Sequence, residues 1–124
     1  MRKTLSLKSA ASTEPSFQAT PAVGIIEAAI LRRLCVRATY NRTDMQFAPH
    51  ILYTRHDDPF VDGVVTEREG KPPREIKLAS FKLAGLTGLT LTTERFEPQS
   101  VFVPGEARYA GVTLSAIRAE PVSG

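Results

Sequence analysis

The sequence has no tryptophan, a single cysteine and only 7% aromatic residues. Its core must therefore rest on Leu, Ile, Val and a few Phe. The lone Cys35 excludes an intramolecular disulfide and favours a reducing compartment. No apolar run approaches the roughly 18 residues that a membrane-spanning helix needs. The basic start MRKTLSLKSAAS is interrupted by Ser and Lys, so it lacks the apolar region of a signal peptide. A cytoplasmic protein without a membrane partner is expected. Also missing are a Gly-rich phosphate loop, a Ser nucleophile elbow and any zinc-ligand spacing. The expectation is a protein with no catalytic residues, no metal and no cofactor. Only one convincing helix can be read, so there is no helix-turn-helix to read duplex DNA.

What is present fits one domain: 124 residues are enough for a single core. The net charge is +3 and the pI about 9.3, a milder bias than the basic face of a dedicated duplex-DNA binder. Residues 1–20, rich in Ser, Thr and Ala, read as a flexible arm. Thr20-Pro21 is a helix start: Thr caps free amide groups, and Pro is pre-set for the first turn. Ile25, Ile26, Ala29, Ile30 and Arg33 then place one stripe on a helix, with Arg32 and Arg33 in its last turn.

Strand-like runs follow at 34–40, 45–55, 60–68, 74–83 and 89–93, separated by turns that carry Gly, Pro, Asn or Asp. Pro49 cannot donate to a ladder and marks an edge or a bulge. Gly85 and Gly88 allow a sharp bend between the last two strands. The pattern predicts a mainly β domain, a small antiparallel barrel or sandwich of five strands behind one N-terminal helix. After Pro98 the signals weaken; 101–103 and 111–117 read either as strands or as loose extension. The expected organisation is an arm at 1–20, the helix and strands at 21–96, and an extension at 97–124.

Several side chains could carry binding. Tyr53 and Arg55 alternate onto one face of their strand, while His50 faces the other way unless a bulge at Pro49 re-aims it. A Tyr–Arg pair can stack on a base and neutralise a phosphate; the plainer reading is a half-buried Tyr beside a solvated Arg. Arg74 and Lys82 lie an even number apart and would share a face, either as a phosphate-facing patch or as ordinary solvated surface. His56, Asp57, Asp58 and Asp62 match no metal-ligand spacing, and an Asp-Asp-Pro run is ordinary turn chemistry. Cys35 reads as a small packing residue.

Tyr40, the Pro49-His50-x-Leu52-Tyr53 run, the hairpin into 60–65 and Phe81-Lys82-Leu83-Ala84-Gly85-Leu86 together resemble the WYL domain in order and spacing, over residues 25–96. Two features depart from the family. Phe60-Val61-Asp62 stands where its name-giving Trp-Tyr-Leu triplet would be. Lys82 and Gly85 stand at its two later arginines. The resemblance implies an Sm-like (SH3-like) barrel of the kind found in bacterial transcriptional regulators. It further implies ligand sensing, with a nucleotide or single-stranded nucleic acid bound through Tyr53, Arg55, His50, Lys82 and Arg74. Such a stand-alone module would regulate transcription through a DNA-binding partner protein. The alternative is a structural Sm-like barrel that forms a homo-oligomer through its sheet edges and binds no ligand.

Overall fold

A computed structural model describes residues 20–117. The expected arm at 1–19 and the end of the extension at 118–124 lie outside these residues. Helix α1 spans Pro21–Arg32, and its cap is the expected one: the Val23 amide donates to Thr20 Oγ1 at 3.4 Å. Arg33 ends the helix in the left-handed region, with φ 58°. The buried stripe is Val23, Ile26, Ala29 and Ile30, with Ile25 at its margin. It lies against the sheet, since α1 meets β1 (Leu34–Tyr40), β2 (Thr43–Arg55), β5 (Leu86–Arg95) and β6 (Thr113–Ala116).

Between these run β3 (Asp58–Arg68) and β4 (Leu78–Lys82). All ladders are antiparallel. The sheet has six strands, which corrects the expected five. The added strand is β6, in the stretch whose signals were weakest. The hydrogen-bonded path runs β4-β3-β2-β1-β5 and is open, with β4 and β5 at its ends. A short 3-10 turn, Leu83–Gly85, joins those two strands directly. The bend expected there therefore exists. Gly88 sits at φ +63°, and a Cβ on Gly85 would come within 2.9 Å of the Tyr40 ring.

The β4 reading is corrected as well. The strand begins at Leu78, and 72–77 form an irregular connection that starts with Pro72-Pro73, which supplies no amide donors. The turns are tighter than the sequence suggested. Asn41-Arg42, His56-Asp57 and Glu69-Gly70 each hold two consecutive residues at positive φ, as two-residue hairpins of primed type require.

β2 changes partners midway. It pairs with β1 through Phe47 and with β6 from Ile51 onward. Pro49, which has no N–H to offer, stands in the gap. Opposite it the β2–β3 register slips: Pro49 faces Gly63 and Ile51 faces Asp62, leaving His50 as the extra, bulged residue. Gly63 is required here, because a Cβ would lie 2.6 Å from the Ala48 carbonyl oxygen. The segment after Pro98 adds Phe102, Tyr109 and Ile117 to the same buried cluster as Phe47, Leu52 and Val61. No described helix is long and apolar enough to cross a membrane.

Candidate ligand-binding surface

The five residues singled out from the sequence fall in four different surroundings. His50 is fully buried. Its Nδ1 lies 2.8 Å from the Ala48 carbonyl oxygen, and its Nε2 accepts from the Gln99 amide at 3.0 Å. That pairing assigns the proton to Nδ1. Phe96 stacks on the ring at 5.1 Å and Phe102 meets it edge-on at 5.4 Å. Desolvation lowers the His50 pKa, partly offset by the Ala48 carbonyl. Both ring nitrogens are satisfied, so the bulge re-aims His50 into the core and away from any ligand.

Tyr53 is buried too, only 1% exposed, and offers no face for a base to stack on. Its hydroxyl donates to Asp62 Oδ1 at 2.6 Å, and the Tyr109 hydroxyl donates to Asp62 Oδ2 at 2.5 Å. Arg108 completes the group. Its guanidinium lies 3.1 Å from Asp62 Oδ2, 2.7 Å from Glu106 Oε1 and 4.8 Å over the Tyr109 ring. Asp62 itself has no solvent exposure. Burial, reinforced by Asp62, raises the pKa of both Tyr53 and Tyr109, which keeps the phenols protonated as donors. With no exposure and both oxygens engaged, Asp62 presents no open face to a substrate. The cluster ties β3 to the C-terminal segment.

Sequence reasoning did not find this cluster. One signal was available: Asp62 interrupts the apolar run Val61-Asp62-Gly63-Val64-Val65 inside a strand, where a carboxylate needs partners. Tyr109 and Arg108, more than forty residues away in sequence, gave no sign that they were those partners.

Arg55 and Lys82 do come together, at the end of the β2–β3 hairpin. Arg55 pairs across the turn with Asp58, and Phe60 pairs with Lys82 on β4. The Arg55 guanidinium sits 5.0 Å over the Phe60 ring, and Lys82 Nζ lies 3.4 Å from Asp58 Oδ2. Phe60 is half-buried, with Tyr53 stacked behind it at 6.1 Å. The aromatic ring this surface offers is therefore the half-buried Phe60.

Arg74 is elsewhere. Because it precedes β4, the even spacing to Lys82 does not place the two on one face. Arg74 lines a cleft of about 540 Å³ between the β3–β4 connection and the sheet. Cys35 is buried, and desolvation pushes its thiol up to about 11, so it packs as an inert residue.

No family model, curated protein or solved structure matches this chain.

Proposed function

We propose that the chain is a ligand-sensing regulatory module of WYL-like kind. It binds a nucleotide-like or single-stranded nucleic acid ligand at the Arg55–Phe60–Lys82 surface and regulates transcription through a DNA-binding partner. The observation that carries this reading is the guanidinium lying over a half-buried aromatic ring, with a second cation on the neighbouring strand. Such a surface offers a stacking platform and charges for the adjoining phosphate. We also read the sheet as an Sm-like (SH3-like) barrel. The leading helix, the strand order and the 3-10 turn between the two end strands support that reading.

Titration of short labelled single strands at several salt concentrations tests the function. Phe60→Ala is expected to weaken binding by about 1–3 kcal/mol per stacked base. Arg55→Ala and Lys82→Ala are expected to weaken it and flatten its salt dependence, because fewer counterions are released. Duplex DNA is expected to bind more weakly, since this surface presents no helix to the major groove. Binding indifferent to all three substitutions, or none at low salt, removes this ligand class.

One observation favours a second reading, assembly without a ligand: the outer edges of β4 and β5 carry no strand partner within the described residues. Light scattering on the purified protein separates the two. A closed oligomer with no affinity for single strands supports assembly.

A further inference from the structure

We propose a second, separate anion site in the cleft beside the β3–β4 connection, which takes a small molecule carrying two or more adjacent phosphate groups. The walls of this cleft carry Arg68, Lys71, Arg74 and Lys77 against one acid, Glu75. Glu75 is already engaged by Lys77, at 3.2 Å. Among the described residues no carboxylate pairs with Arg68, Lys71 or Arg74. Three cations without a paired carboxylate around one concavity give it a positive potential that concentrates anions there.

Their backbone is fixed in advance. Arg68 and Lys71 close a two-residue turn: the Arg68 amide donates to the Lys71 carbonyl at 2.8 Å, and the Lys71 amide to the Arg68 carbonyl at 3.0 Å. Pro72 and Pro73 then restrict the chain that leads to Arg74. Less backbone entropy is lost on binding when the cations are held near one another beforehand.

Shape and size narrow the ligand. The cleft holds about 540 Å³, within the range of small-molecule sites. Val65, Leu78 and Ala79 give it an apolar floor, and charge attraction strengthens beside low-dielectric walls. Guanidinium groups suit the paired oxygens of phosphate. A single strand of nucleic acid needs a groove that tracks its backbone, whereas these cations gather around one hollow.

The site is distinct from the Arg55–Phe60–Lys82 surface. The cleft adjoins the Leu78 end of β4, and Phe60 pairs with the Lys82 end. Those ends are about 13 Å apart at the usual rise of a strand.

Calorimetric titration of the full chain with inorganic tripolyphosphate, and separately with ATP, tests the proposal. Saturable binding of tripolyphosphate, weakened about tenfold by Arg74→Ala and again by Lys71→Ala, is the expected result. ATP binding with the same sensitivity supports the site equally, and a tighter fit than tripolyphosphate adds a nucleoside lying on the apolar floor. Arg55→Ala and Lys82→Ala are expected to leave the tripolyphosphate titration unchanged, because that probe has no base to stack on Phe60, so this site and the proposed strand-binding surface stand or fall separately. The altered positions are exposed, and circular dichroism confirms that each variant is folded. Absence of saturable binding at low salt overturns the proposal. So does tripolyphosphate binding that survives Lys71→Ala with Arg74→Ala, or that is lost with Arg55→Ala.

Discussion

At the residue scale the most consequential side chain is Asp62. A carboxylate removed from water needs compensation, and it has two phenol donors and one guanidinium. Tyr109→Phe removes one hydrogen bond to a charged acceptor without changing the shape of the core. It is expected to destabilise the fold by about 1.5–3 kcal/mol. The check is a lower urea midpoint at unchanged slope; a midpoint equal to the wild type would contradict the role assigned to the cluster. His50 makes a pH prediction. Burial depresses its folded pKa below the unfolded value of about 6.5. The unfolded chain therefore takes up the proton first as pH falls. The His50 contribution to stability is intact above about pH 6.5, declines as the pH drops below it, and levels off once the folded pKa is passed. Thermal midpoints between pH 7 and 5 should fall in the wild type, and His50→Gln should reduce that slope. An unchanged slope would show that His50 is not the group responsible.

At the element scale, two glycines test the fold in opposite directions. Gly24 sits on the exposed side of α1, with nothing within 4 Å of an added Cβ. Gly24→Ala is expected to stabilise the protein by about 0.5–1 kcal/mol, because Ala loses less backbone entropy in a helix. Gly63 faces the bulge in β2, and there an added Cβ collides with backbone, which cannot rotate away. Gly63→Ala is expected to cost about 1–3 kcal/mol, as overpacking does. Paired melts of the two variants decide it: a Gly63→Ala melt matching the wild type would mean that the bulge at His50 does not bring the strands so close. The same bulge puts His50 under the C-terminal segment, where its carbonyl accepts the Ile117 amide at 2.9 Å. One register slip thus sets both the orientation of His50 and its covering.

At the scale of the whole molecule, the segment after Pro98 is part of the core. Its strand β6 takes the edge of β2 that β1 has left, and Phe102, Tyr109 and Ile117 fill the space beneath. A chain ending at residue 98 would expose His50, Leu52 and Tyr53 and leave Asp62 without Tyr109 or Arg108. Such a chain is expected to lose cooperative unfolding in calorimetry, because the uncompensated carboxylate adds to the lost apolar burial. A sharp transition near that of the full chain would show instead that residues 20–98 fold alone.

Local signals were enough for the elements formed by near neighbours. Thr20-Pro21 set the helix start, the alternation at 34–40 set β1, and Pro49 marked the break in β2. These depend on capping, on strand periodicity and on a missing donor, all of which act within a few residues. The limits of β4 are not legible in the sequence, because the alternation that follows Pro72 and Pro73 pairs with β3 only from Leu78 onward. β6 has too little pattern of its own at four residues; the free edge of β2 decides it. Side-chain roles depended still more on distant contacts. Alternation places Tyr53 and Arg55 on one side of a strand, yet the first is buried on Asp62 and Tyr109, while the second reaches diagonally across the ladder onto Phe60. Away from a bulge such as the one at His50, sequence periodicity settles which way a side chain leaves its strand. Whether it then meets water, a ligand or a buried carboxylate is decided by segments that only the tertiary fold brings there.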